Sequence, residues 1–416
     1  MAAMVTRAQA RRPVTSLRPT LRQARRLLAL AAVAALAACA PRTPPPAPAP
    51  PPPAIEERPQ APPPPERRHQ VAILVPLSGP NAAVGQSLAN AANLALADTG
   101  STTVRITSYD TAAAGGAGAA ANRALAEGAQ LILGPLLGAD VPAVAGPAAA
   151  RSVPVLTFSN DGALAGGNVH VLGFQTAQSV ARVVTHARSR GITRFAALIP
   201  NGSYGERAAV AFTRAVQAAG GEIAAVTSFA RAREQLPTAA RRVTAFDARV
   251  KAGTPGNPAP IRFEALLIAD SGTTAGAFVP SLAQFGARPP EVTLLGTELW
   301  AAEPGLARVP ALHGALFAAV PDTRFEALKR RYRDRFGTNP SRLASLAYDA
   351  TLLAVRLAGR WEMGTAFPPA LLQDPKGFAG VDGIFRFRGN IIERGLEVRR
   401  ITAGGFVTES AAPTSF

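Results

Sequence analysis

Short polar segments recur behind apolar, β-rich runs, and they hold most of the side chains suited to binding. They read Ser78-Gly79-Pro80, Asp110-Thr111, Gly134-Pro135, Ser159-Asn160-Asp161, Asn201-Gly202-Ser203-Tyr204-Gly205, Asp270-Ser271-Gly272 and Gly296-Thr297-Glu298. In open α/β sheets a small ligand binds beyond the carboxyl ends of the strands, where such hydroxyls, amides and carboxylates converge. The cleft candidates are therefore Ser78, Gly79, Ser159, Asn160, Asp161, Tyr204, Asp270, Ser271, Thr297 and Glu298. Asp, Asn and Ser before a helix also satisfy its free N–H groups, so part of this set is expected to be structural. Catalytic patterns are poorly met. His69, His170, His186 and His313 have no metal-binding spacing, and one cysteine cannot build a Cys/His cluster. Gly116-Ala117-Gly118-Ala119-Ala120-Ala121 matches a dinucleotide fingerprint in letters, but it follows the second strand rather than the first. Gly202-Ser203-Tyr204-Gly205 is not the G-x-S-x-G elbow of a serine hydrolase. No enzyme, no cofactor and no metal site are expected.

The single cysteine has a different chemistry. Arg7, Arg11, Arg12, Arg18, Arg22, Arg25 and Arg26 form a basic region without an acid, followed by an apolar stretch from Leu27 to Ala38. This is the layout of an export signal, and it is shorter than the roughly 20 apolar residues a membrane span needs. Leu36-Ala37-Ala38-Cys39 resembles a bacterial lipobox, in which the thiol receives a diacylglyceryl group and the signal is cut just before it. The resemblance implies a lipid-anchored mature chain beginning at Cys39. Ala40, in place of an aspartate, implies an outer-membrane address facing the periplasm. The alternatives are an ordinary cleaved signal with a free thiol, or a buried core cysteine. A lone thiol in an exported chain has no disulfide partner.

The chain carries 44 Lys and Arg against 27 Asp and Glu, a net charge of +17. Removal of the signal arginines brings this to about +10, and export excludes nucleic acid as a partner, so the charge points to anionic lipid, cell-wall polymer or an acidic protein surface. From Pro41 to Pro65 the chain is mostly proline and alanine. Proline fixes φ and lacks an N–H, so this segment is expected to be an extended stalk of about 90 Å at ~3.1 Å per residue. About 345 residues remain after it, enough for two separate cores.

From Val71 onward, β-rich runs alternate with alanine-rich helical ones, the signature of a mainly parallel sheet covered on both faces. Strands are expected at 71–75, 104–108, 131–133, 155–158, 195–199, 222–228, 265–269 and 292–295. Helices are expected around 83–98, 117–127, 140–151, 176–190, 205–219, 273–286, 323–336 and 341–359, with a final β-rich segment over 381–407. Arg231 to Lys251 is a further basic helical stretch. On the helix at 323–336, Phe325, Leu328, Tyr332 and Phe336 recur at helical spacing as a core face, while Arg324, Arg330, Arg331 and Arg333 are candidates for a partner surface. Arg386, Arg388, Arg394, Arg399 and Arg400 on the last strands read as a solvated face.

The order of segments carries a resemblance. Residues 71–85 (VAILVPLSGPNAAVG), 131–136 (LILGPL), 153–161 (VPVLTFSND), Tyr204-Gly205 and Ala347-Tyr348-Asp349-Ala350 resemble the type I periplasmic binding fold of the Leu/Ile/Val-binding kind. More narrowly, they resemble the penicillin-binding protein activator lipoproteins, whose carboxy-terminal domain has this fold. The resemblance implies an α/β, two-lobed chain, each lobe a doubly wound, mainly parallel sheet flanked by helices. It implies a signal at 1–38, a linker at 39–69, lobe 1 at 70–173 and 317–388, lobe 2 at 174–316 and 389–410, and a tail at 411–416.

Transport members of the broad fold grip an amino acid with lobe-1 hydroxyls in the loop after the third strand. Here that loop reads Leu136-Leu137-Gly138-Ala139-Asp140. A zwitterion in a desolvated cleft needs directional partners, and leucine supplies none. The reading that follows is a non-enzymatic lipoprotein that activates or regulates a peptidoglycan synthase, a penicillin-binding protein, by protein contact. The alternative is a lipid-anchored receptor of an ABC importer, with an amino acid or other small solute in the interlobe cleft. Activators that carry an amino-terminal helical-repeat domain differ from this chain, which has the proline stalk in that place.

Overall fold

The computed structural model describes residues 67–416. The expected signal, Cys39 and the proline stalk lie outside the described residues. The first elements are β1 (His69–Val75), α1 (Ala82–Thr99), β2 (Val104–Asp110), α2 (Gly116–Ala126), β3 (Leu131–Leu133), α3 (Val141–Ala149), β4 (Val155–Thr157) and β5 (Val169–Val171). There follow α4 (Thr176–Ser189), β6 (Arg194–Pro200), α5 (Ser203–Ala218), β7 (Glu222–Phe229), α6 (Leu236–Val243), α7 (Phe246–Ala252), β8 (Ala265–Ile268), α8 (Gly272–Gln284), β9 (Thr293–Gly296) and β10 (Leu316–Ala319). The last are α9 (Thr323–Phe336), α10 (Ala344–Leu357), β11 (Phe378–Gly380), β12 (Gly383–Arg388), β13 (Ile391–Arg394), β14 (Glu397–Thr402) and β15 (Gly405–Ser410).

These strands form two mixed sheets, ordered β11-β12-β13-β5-β4-β3-β1-β2 and β15-β14-β10-β9-β8-β6-β7. The contacts from β13 through β5, β4, β3 and β1 to β2 are parallel, and antiparallel hairpins extend the first sheet at β12 and β11. In the second, β7, β6, β8, β9 and β10 run parallel and β14 and β15 add an antiparallel edge. Both faces are covered, which is why the strands read as continuous apolar runs rather than as alternation. Along β1, Val71, Ile73 and Val75 pack toward α1 and α10, while Ala72 and Leu74 pack toward α2 and α3. Along β6, Phe195, Ala197 and Ile199 pack on α4 and α5, and Ala196 and Leu198 pack toward α6 and α8. This is the period-2 side-chain direction of a strand, used twice.

The same device begins each lobe. β1 is followed by Pro76 and β6 ends on Pro200, and the following helix brings a glycine onto that proline's carbonyl. A Cβ on Gly85 would lie 1.8 Å from Pro76 O, and one on Gly205 would lie 1.6 Å from Pro200 O. Only glycine lets the helix lie this close to the strand end.

The chain passes between sheets three times, after β5, after β10 and after β13. Leu316–Ala319 pairs with β9 and β14, and Ile391–Arg394 pairs with β12 and β5. The second and third passages therefore fall later than the expected 317 and 389, because these short strands complete the sheet the chain is leaving. Among the described residues no helix is long and apolar enough to cross a membrane.

Candidate functional site

All three passages border one cavity of about 540 Å³ between the sheets. Phe174 and Gln175 come from the first passage, Val320 from the second, Arg394 and Leu396 from the third. The first lobe adds Leu136, Leu137, Phe158, Asn160, Arg342 and Leu343, and the second adds Gln178, Ser179, Glu298 and Leu299. The wall is mostly apolar. The two leucines after β3 line it, where a hydroxyl grip for an amino acid would have to be.

Of the expected cleft residues, the structure brings Asn160 and Glu298 to this cavity. Thr176 Oγ1 donates to Glu298 Oε1 at 2.6 Å, while Oε2 is buried with no partner. Burial pushes this carboxyl above its ordinary range, and the Thr176 hydrogen bond offsets part of that rise. Behind it, the hydroxyls of Tyr204 and Thr297 share a 3.2 Å hydrogen bond. Burial, and then the nearby Glu298 charge, raise the Tyr204 phenol well above its ordinary value.

The other expected cleft residues hold the fold locally. Ser159 Oγ accepts from Asp161 N at 3.1 Å, and Ser271 Oγ accepts from Thr274 N at 3.1 Å as the cap of α8. Ser78 and Gly79 are exposed in the turn before α1, where Gly79 O accepts from Ala82 N at 3.1 Å. Ser78 hydrogen-bonds Asp110, one of several bonds that hold that carboxylate below its ordinary range against its desolvation. Asp270 is buried and paired with Arg231 at 2.7 Å. Asp161 Oδ1 accepts from Ala163 N at 3.0 Å, and its Oδ2 meets Arg207 of α5 at 3.1 Å, a contact between lobes.

The arginines divide as well. On α9, Arg330 and Arg333 are exposed, but Arg324 donates to Gly380 O at 2.9 Å and Arg331 lies 3.3 Å from Asp98. On the last strands Arg388 and Arg400 are exposed, whereas Arg394 and Arg399 are buried, which corrects the expectation of a solvated face there. Arg399 is satisfied by Glu397, Asp322 and Val320 O.

Arg394 and Arg342 are the charged cavity residues that the expected cleft set lacks; Asn81, Gln175, Gln178, Ser179 and Ser341 are further polar ones. Arg342 Nη1 lies 2.9 Å from Asp382 Oδ1, and Arg394 Nη1 lies 3.7 Å from Asp382 Oδ2. Ser345 Oγ donates to Asp382 Oδ2 at 2.8 Å. Beside Asp382, Asp349 accepts from Val381 N at 2.6 Å, which explains the Ala-Tyr-Asp-Ala motif as the anchor of the β11–β12 turn. Burial and the Asp382 charge push Asp349 up to about 7, against the pull of Arg394 and of its backbone hydrogen bonds. A signal for Arg394 existed. It shares strand parity with Ile392, the buried face of β13.

The model of the periplasmic binding protein family matches residues 69–400, spanning both sheets and the cavity. The chain belongs to the periplasmic binding protein family. A solved structure of a putative branched-chain amino acid ABC transporter from Rhodospirillum rubrum matches with TM-score 0.67 at 19% identity, over 82% of this chain and 99% of that one. A solute binding protein from Rhodopseudomonas palustris BisB5 in complex with 3,4-dihydroxybenzoic acid matches with TM-score 0.60 at 19% identity, over 84% and 97%. The LpoA C-domain from Haemophilus influenzae, a regulator of PBP1A, matches with TM-score 0.58 at 18% identity, over 82% and 99%. At these identities the likeness is one of fold. An uncharacterised protein of Rickettsia prowazekii (strain Madrid E) is 29% identical over 137 residues, 33% of this chain and 37% of that relative's length.

Proposed function

We propose that this periplasmic binding protein family member is an exported lipoprotein, anchored through Cys39, that regulates a penicillin-binding protein by protein contact and catalyses no reaction. One observation carries the reading. The hydroxyls that would grip an amino acid are absent from the loop after β3, and Ser78, Ser159 and Ser271 are engaged in turns and caps. A desolvated ammonium left without partners costs several kcal/mol, on the order of the whole affinity of a weak ligand. The likeness to a PBP1A regulator supports the same reading. The stalk suits it, since a spacer raises local concentration at a partner when its length matches the gap. The outer-membrane address and the partner face on α9, at Arg330 and Arg333, belong to this proposal.

The importer reading has its own support. Glu298 Oε2 and the nitrogens Nε and Nη1 of Arg394 are buried without hydrogen-bond partners beside the cavity. Crosslinking in cells with the full-length protein distinguishes the two. Capture of a penicillin-binding protein, lost on reversing Arg330 and Arg333 to Glu, is the expected result. Capture of a permease subunit in its place overturns it.

A further inference from the structure

We infer that residues 411–416 form a strap between the lobes, a fourth and non-covalent connection laid along the third passage, which restrains their relative motion. This goes beyond regulation by protein contact and does not depend on it. The segment leaves β15, the edge strand of the second sheet, and reaches β12 in the first.

The second lobe holds its start. Glu409 of β15 lies 3.6 Å from Arg190 of α4 and 3.3 Å from Arg400 of β14. One turn further back on α4, Arg182 Nη2 donates to Ser410 Oγ at 2.7 Å and to Ala411 O at 3.3 Å. The Nε of the same guanidinium donates to Leu396 O at 3.0 Å, so one side chain ties the segment to the third passage. Gln178 stands four residues earlier, on the same face of the helix. Its Nε2 donates to Ile392 O at 2.5 Å, and its Oε1 accepts from Arg394 N at 3.0 Å. This face of α4 therefore grips the whole third passage together with the beginning of the segment.

The first lobe holds the rest. A Cβ added to Gly395, within the third passage, would lie 3.2 Å from both Cγ and O of Pro413 and 2.9 Å from Ile384 Cγ1 of β12. Glycine leaves the room in which the segment crosses the hinge. Beyond the crossing, the Phe416 ring faces Arg386 of β12, with 4.3 Å from the guanidinium carbon to the ring centroid. Arg386 is fixed independently of that ring, because its Nε donates to Glu393 Oε2 at 2.6 Å and its Nη1 to Pro375 O at 3.3 Å. Chain ends fray unless they are tied down. This one is tied to both lobes and to the passage between them, so the lobes cannot turn far without breaking a contact.

The test is amide hydrogen exchange of the full-length protein against a variant that stops after Ser410. Exchange over residues 391–396 is expected to speed up about threefold to tenfold, the effect of losing a cation–π contact and a hydrogen bond. Residues 172–176 and 320–322, on the other two passages, are expected to speed up with them, since linked segments of one hinge turn together. That distant response separates a strap from a local patch. Phe416→Ala removes the hold on the first lobe alone, and is expected to change all three passages in the same direction by a smaller factor. Unchanged exchange in the truncated protein, faster exchange confined to 391–410, or Phe416→Ala indistinguishable from wild type at all three passages would each overturn the inference. If the truncated protein fails to fold, Phe416→Ala still decides.

Discussion

Asp161, in the loop after β4, and Arg207, in the second turn of α5, meet at 3.1 Å and join the first lobe to the second. Their side chains are 27% and 36% exposed, so water screens the pair and its contribution is at most about 1 kcal/mol. Two conformations related by hinge closure typically differ by a few kcal/mol, so a pair of this size shifts their populations. Asp161→Asn is therefore expected to shift the population of open molecules by up to about fivefold. Small-angle scattering would register this as a larger radius of gyration, and raised salt should mimic it in the wild type. An unchanged scattering curve would remove the pair from any part in closure.

Acid stability should carry two opposing slopes. Asp349 rises from 3.8 to about 7 on folding, so between those values the native state holds a proton the unfolded chain has lost, and stability falls as pH rises. Burial drops His170 from 6.5 to about 4, so within that window the unfolded chain holds the extra proton, and stability falls as pH drops. Each slope is at most about 1.4 kcal/mol per pH unit. His170→Leu is expected to gain on the wild type as pH falls from about 6.5 to about 4.5, and Asp349→Asn to lose ground over the same range. Urea midpoints across that range measure both. Parallel curves for all three proteins would contradict the assignment.

Gly205→Ala places a methyl group where Pro200 O now sits, at 1.6 Å, and backbone cannot yield as a side-chain tip can. A loss of about 1–3 kcal/mol or more is expected, read as a lower urea midpoint with an unchanged slope. Gly202→Ala is a contrast: nothing lies within 4 Å of its Cβ, but its φ of 101° strains a side chain. Its cost should come from backbone conformation alone, about 1–3 kcal/mol.

Cys39→Ala should release the protein from membranes. Partition into a detergent phase and incorporation of labelled palmitate, present in the wild type and absent in the variant, check the anchor. Palmitate incorporation that persists in Cys39→Ala would place the lipid elsewhere.

Much of the fold was legible because most central strands are apolar runs and the helices carry a buried face at helical spacing, of small residues in α1 and α2 and of Phe325, Leu328 and Tyr332 in α9. The sequence reading missed β5 and β10 for a physical reason. Val169–Val171 has three residues and Leu316–Ala319 has four, too few for a periodic signal, and each is fixed by pairing on both sides, with β4 and β13 in one case and β9 and β14 in the other. The site was harder to read. Asp161 and Ser271 are residue types equally suited to binding and to capping, and only geometry separates the two uses. Arg342 lies just before α10, within the expected 341–359 helix, and it meets Arg394 only through Asp382, in a turn held by Asp349, contacts between segments apart in sequence that no local pattern reports.

Because the three connecting segments border a single hollow, whatever fills it acts as a wedge at the pivot. The tilt of one half against the other and the occupancy of the hollow become one variable. A partner that grasped both halves would thus sense a molecule it never touches, and by reciprocity its grasp would alter how firmly that molecule is held.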